Sequence, residues 1–212
     1  DTEYRLLSEG FAKDKEKKVE SKEVGEEKRK EKEELFNDRE REREEQEKRK
    51  AEADAAAKIA AEALAAEKAA AEAAQKVIEH NPDVVFVISG KGDMTGQIMQ
   101  QVGALGLSQQ VLFAGALWYE ERDQMYQSVD LVVMPSVSEP FGLVPLEAIQ
   151  HGTPSLISKQ SGVSEIITHV LKVDFWDVDD MANKILAALR YPVMHKQLVV
   201  EGKREVSRLS WH

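Results

Sequence analysis

The chain has 212 residues, with 39 Asp and Glu against 29 Lys and Arg, a formal net charge of −10 and no cysteine. The acidic balance argues against a basic nucleic-acid face, and the lack of thiols excludes a disulfide framework or a thiolate metal site. No apolar run approaches the roughly 20 residues of a membrane-spanning helix and no signal-peptide pattern opens the chain, so the expected setting is soluble and intracellular, without membrane or nucleic-acid partners.

Starting at Asp1 without a methionine and stopping at Trp211-His212, the sequence reads as a piece of a longer protein. Between Lys13 and Lys50 nearly every residue is charged, with acids and bases in equal number. Apolar residues there are too sparse for coiled-coil heptads, so two readings stand side by side: a solvated single helix and a disordered charged tail. Asp14 with Lys18, Glu26 with Lys30, Glu44 with Lys48 and Glu45 with Arg49 place the acid four residues before the base. That is the favourable orientation, worth about 0.2–0.5 kcal/mol a pair. From Ala51 to Ala74 the composition turns to Ala, Glu and Lys, the strongest helix formers, with no Gly or Pro before Pro82. One helix is therefore predicted through His80, its last turns at Val77 and Ile78 packing on a sheet. The expected division is an arm over 1–80 and an α/β domain over 81–212. If ordered in water, such an arm calls for protein partners along its length, with Leu6, Leu7, Phe11, Leu35 and Phe36 as apolar anchors.

Beyond the His80-Asn81-Pro82-Asp83 turn, short Val-rich runs alternate with helical patterns, the signature of a mostly parallel, Rossmann-like sheet. Val84–Ser89 is the first predicted strand, and Gly90 and Gly92 form the turn at its carboxyl end, where ligands of open parallel sheets gather. A plain turn is the other reading of these two glycines. A helix over Met94–Leu105, a strand over Val111–Ala114 and a helix opening at Trp118 follow, with Trp118 and Tyr119 read as core aromatics. Leu131–Met134 is the next buried strand. After it comes PSVSEPFGLVPLEAIQHGTP, Pro135 to Pro154, in which Glu139 and Glu147 are separated by seven residues. Gly142 at the predicted helix start permits close backbone approach, and the free N–H groups of the first helical turn suit a phosphate. The two carboxylates suit hydroxyls. Together they point to a nucleotide sugar. Ser155–Ser158 and Leu171–Asp174 complete the strands, with Ser161 or Ser164 as candidate caps of a short helix between them. His151 and His169 have no second ligand at metal spacing and are read as packing or solvent residues. Asp177, Asp179 and Asp180 are read as helix-capping acids of Met181–Leu189 rather than a metal cluster. Tyr191-Pro192 is expected to stop that helix, with a last one over His195–Leu209.

The Glu139/Glu147 stretch, with GLSQQVLFAG, MYQSVDLVVMPS, SKQSGVSEIITH and LKVDFWDVDDMANKI in order, resembles the donor-binding domain of retaining glycosyltransferases of the GT-B fold, closest to the glycogen and starch synthase type. The likeness runs from about Asp83 to Trp211. It implies that Glu139 faces the donor sugar of a UDP- or ADP-hexose as the catalytic-side carboxylate. Glu147 would take the ribose hydroxyls, and the Phe141, Gly142 and Leu143 backbone would lie against the sugar and diphosphate. Gly90 and Gly92 would belong to the donor loop, and Leu117, Trp118 and Tyr119 would stand near the base. No metal and no cofactor besides the donor is implied. The family's first strand, its diphosphate-binding Arg and Lys and its acceptor domain have no counterpart in the chain, so catalysis by this chain alone is not expected. Two further functions remain open at this stage. One is a structural module of a large assembly, ciliary or cytoskeletal for example, and the other is a nucleotide-sugar sensor.

Overall fold

In a computed structural model the described backbone covers residues 2–92, 94–137 and 139–209, with side chains described at 29, 30, 32 and from 34 onward. Backbone contacts divide the chain into Asp1–Ala56 and Ala57–His212.

The first unit is helical from Thr2, within α1 (Thr2–His80). Its described side chains are exposed, including Leu35 at 55% and Phe36 at 65%. Among these described side chains none is packed, so local charge pairs are the support available to them. Glu45 and Arg49 close to 2.6 Å as the sequence predicts, and Asp38 and Arg41 approach to 3.6 Å. Glu44 and Lys48 are not among the described pairs. Asp14–Lys18, Glu26–Lys30 and the anchors Leu6, Leu7 and Phe11 involve side chains outside the described residues.

The second unit opens with the last turns of α1, where Ala66, Ala69, Ala73 and Val77 recur at helical spacing and are buried. Next come β1 (Phe86–Ser89), α2 (Thr95–Ala104), β2 (Val111–Gly115), α3 (Tyr119–Ser128), β3 (Val132–Met134) and α4 (Leu143–His151). They are followed by β4 (Ser155–Ser158), a 3-10 turn (Gly162–Glu165), β5 (Leu171–Val173), α5 (Val178–Arg190) and α6 (Pro192–Val206). Every strand pair is parallel, as the alternation of strand and helix predicts. The strands form two sheets, β1-β2 and β3-β4-β5.

One core joins Ala73 and Val77 of α1 to Leu156 of β4, Val173 of β5 and Met181 and Ile185 of α5. A second lies on the other face of β4, where Ile157 meets Leu146 and Ile149 of α4, Ile167 and Val206. Alternation along β4 therefore supplies both layers, and all four of its residues are buried. A third cluster, Val102, Leu107 and Val111, supports β1-β2.

Asp177 caps α5 as predicted, its carboxylate accepting from the Asp180 N–H at 2.9 Å. Three expectations are corrected. Pro192 opens α6 instead of lying before it, because a proline at the first helical position gives up an N–H that has no helical acceptor. Ser161 stands at the N-cap position of the 3-10 turn, but no hydroxyl caps it: those of Ser161 and Ser164 donate instead to the carbonyls of Ser158 and Lys159, at 2.7 and 2.8 Å. Trp118 and Tyr119 are not core: they are 69% and 80% exposed at the carboxyl end of β2, and Tyr119 has φ 43°.

Candidate functional site

At the carboxyl edge of the three-stranded sheet, the segment after β3 and the segment after β4 are tied together. Glu139 and Ser161 form an isolated parallel bridge, and the Gly162 N–H donates to the Glu139 carbonyl at 2.9 Å. A Cβ on Gly162 would stand 2.1 Å from the Pro140 carbonyl oxygen, so only glycine permits this approach. Gly142 caps α4 in the left-handed region at φ 90°. A Cβ there would meet Val163 at 3.0 Å, Met134 at 3.1 Å and Glu139 Cγ at 3.3 Å. Glu139 and Gly142 are thus in direct proximity at the head of α4. The N–H groups of Gly142, Leu143 and Val144 fall where a helix has no acceptor for them, and Pro145 has none to leave. Leu143 is 56% exposed, while half-buried Phe141 packs on the α4 core.

Glu147 lies one helical turn further along α4 and is held from α3. Its Oε1 accepts from Arg122 Nη1 and its Oε2 from the Tyr126 hydroxyl, both at 3.1 Å. Arg122 also donates to Asp123 from Nε at 3.3 Å and from Nη2 at 3.1 Å. His151 Nδ1 donates to the Glu147 carbonyl at 2.8 Å, and its Nε2 is 3.6 Å from Asp123 Oδ2. Burial of Tyr126, followed by the charge of Glu147 and the hydrogen bond to it, pushes the phenol up to about 12, so this hydroxyl keeps its proton and remains a donor.

Gly90 and Gly92 end β1 in the other sheet. Gly90 has φ 139° and donates to the Gly115 carbonyl at 2.8 Å; Gly92 turns into α2 through Thr95, whose hydroxyl donates to its carbonyl at 2.8 Å. No hydrogen bond joins this loop to the Glu139 segment among the described residues. The described residues contain no group of three His, Asp or Glu able to hold a metal, and no helix long and apolar enough to cross a membrane. Sequence reasoning missed Arg122 and Tyr126. They lie 25 and 21 residues from Glu147, and nothing local marks them beyond sharing a helix face four apart.

Parallel strands with helical crossovers and a glycine-headed helix at the carboxyl edge define a Rossmann-like α/β domain. The chain belongs to the family Glycosyl transferases group 1, which matches residues 38–205. An uncharacterized glycosyltransferase of Methanocaldococcus jannaschii is 42% identical over 94 residues, 44% of this chain and 24% of that protein. Mannosylfructose-phosphate synthase of Agrobacterium fabrum is 28% identical over 116 residues, 53% of this chain and 26% of that protein. The chain thus spans about a quarter of the length of these curated relatives. The fold is shared with Anabaena HepE, whose structure in complex with UDP and glucose superposes with a TM-score of 0.59 at 22% identity over 65% of this chain and 39% of that one.

Proposed function

We propose that the chain is the nucleotide-sugar-binding half of a retaining glycosyltransferase of the glycogen and starch synthase kind, taking a UDP- or ADP-hexose and not turning it over alone. One observation carries this reading: Glu139, left-handed Gly142 and the N–H groups of the first α4 turn, which have no partner among the described residues, stand together at the carboxyl edge. In a retaining transfer the bond from the sugar's anomeric carbon to the diphosphate breaks and a bond to an acceptor hydroxyl forms on the same face. Negative charge grows on the leaving diphosphate. Backbone N–H groups of Gly142, Leu143 and Val144 are suited to receive it. Glu139 serves the sugar hydroxyls and Glu147 the ribose, with Phe141 and Leu143 lining the site and Gly90 and Gly92 closing it from the other sheet. Support comes from family membership and from the HepE complex with UDP and glucose.

Titration calorimetry with UDP, ADP, UDP-glucose and ADP-glucose tests the reading. Binding of at least one, weakened in Gly142→Val and Glu139→Ala, is expected; no heat from any of them at millimolar concentration sinks it. Release of nucleoside diphosphate from the donor by the wild-type chain but not Glu139→Ala would overturn the non-catalytic part. A second reading, a structural module that docks other proteins, is favoured by the exposure of Leu35 and Phe36 on a stretch of α1 whose described side chains are all exposed. Equal hydrogen exchange over 29–50 in the isolated chain and in its native complex would rule it out.

A further inference from the structure

Both carboxylate oxygens of Glu147 are engaged from one face of α3, one by a cation and one by a neutral hydroxyl. Each of these donors is itself immobilised. Arg122 is fixed by two hydrogen bonds to Asp123. Tyr126 is 3% exposed, its carbonyl accepts the Thr153 hydroxyl, and its ring lies 5.8 Å from that of His151. His151 in turn donates to the Glu147 carbonyl, so the network returns to the residue it began from. A surface glutamate would ordinarily keep its rotamer freedom, because the entropy of ordering it exceeds what one exposed ion pair returns.

A carboxylate oxygen has two lone-pair sites. With one on each oxygen taken, one on each oxygen is left, and the side chain is 29% exposed. Two acceptors side by side on a rigid carboxylate match the two hydroxyls of a vicinal diol, as Arg matches a carboxylate in the opposite sense.

Resting on the donor-site reading above, we infer that Arg122 and Tyr126 are positioning residues that pre-set Glu147 to take the 2′,3′-diol of the donor's ribose. The alternative is that the same bonds only tether α3 to α4. A tether would affect folding and would weaken every ligand alike. A positioning pair acts only on ligands that carry the diol, so it sets the ratio of affinities for a ribonucleotide and its 2′-deoxy counterpart.

The experiment measures dissociation constants of UDP, 2′-deoxy-UDP, ADP and 2′-deoxy-ADP for the full chain and for Tyr126→Phe, Arg122→Lys and Glu147→Gln, after thermal melts establish that each is folded. Tyr126→Phe removes one oxygen from a buried ring and keeps the tether's packing, which guards against loss of the fold. The wild type is expected to favour the ribo form by about tenfold, the size of a hydrogen bond to a charged group. Tyr126→Phe and Arg122→Lys should each bring that ratio down several-fold toward the Glu147→Gln value while leaving deoxy-nucleotide affinity unchanged. A ratio preserved in both variants overturns the inference. So does a wild type that binds nucleotide without distinguishing the sugars, and in both of those cases the donor-site reading stands. A wild type that binds none of the four overturns that reading and the inference together.

Discussion

Glu205→Gln isolates a carboxylate that holds the chain between the 3-10 turn and β5. Glu205 projects from α6 and accepts the Thr168 and His169 N–H groups on Oε2 at 3.0 and 2.9 Å, and the Thr168 hydroxyl on Oε1. His169 Nδ1 is also 3.0 Å from Oε1. Burial pushes this carboxyl up, but the hydrogen bonds from His169 and Thr168 outweigh it and bring the group from 4.5 to about 2. At about 1.36 kcal/mol for each tenfold change in proton affinity, that depression gives about 3 kcal/mol of stability in the ionised state. Because the folded value is depressed, that stability is fully present above the unfolded value near 4.5 and is lost as pH falls toward 2. Urea unfolding followed by circular dichroism reads it out. The variant should be less stable by 2–3 kcal/mol on the order of the shift at pH 7, and the difference should shrink steadily between about pH 4.5 and pH 2. A deficit that stays constant over that range would refute the reasoning and leave only a lost packing contact.

Three other variants follow from the geometry. Gly162→Ala places a Cβ on the Pro140 carbonyl and should separate the two loops, costing about 2–4 kcal/mol and removing the proposed nucleotide binding; a melting temperature within a degree of wild type would contradict it. Leu156→Ala empties a fully buried site in the β4 core and should cost about 2–5 kcal/mol by urea unfolding, an unchanged midpoint being the contrary result. Leu35→Ala with Phe36→Ala should change thermal unfolding of the isolated chain by less than about 0.5 kcal/mol, because both side chains are exposed; a larger loss would show that they are packed.

Much of this architecture is legible locally. Short β-branched runs, glycines at strand ends and an acid before α5 are each decided within a few residues, and the predicted Ser155–Ser158 strand coincides with β4. The Glu139, Gly142 and Glu147 spacing is local too. What the sequence hides is long-range. Gly162 is marked as a turn glycine, yet its necessity comes from a carbonyl 22 positions earlier, at Pro140. Arg122 and Tyr126 look like ordinary surface and amphipathic positions of α3 until α4 brings Glu147 against them. His151 and His169, read as packing or solvent residues because no second ligand stands at metal spacing, lie beside Asp123 and Glu205, residues distant in the chain. Trp118 and Tyr119 mislead for the opposite reason. Aromatic size favours burial on average, but the chain leaves the sheet at its carboxyl edge there, and no layer of the described residues covers it.

The two sheets give the candidate site two unequal supports. Glu139, Gly142, Glu147, Ser161 and Gly162 all hang from β3-β4-β5, whose middle strand is buried on both faces. Gly90 and Gly92 hang from β1-β2, which rests one face on Val102, Leu107 and Val111 and leaves Val85, Val87 and Leu112 exposed. Two strands by themselves are marginal in water. No ladder joins β1 to β3 among the described residues; instead Val84 and Phe86 on one side, and Leu131 and Val133 on the other, pack against the same cluster containing Ala73 and Val77 of α1. Apolar packing fixes distance but is not directional as a hydrogen-bond ladder is. The carboxylates are therefore held to a tighter geometry than the glycines of the other sheet. On the proposed donor-site reading, discrimination among ligands resides with Glu139 and Glu147, and the Gly90 loop follows the ligand rather than selecting it.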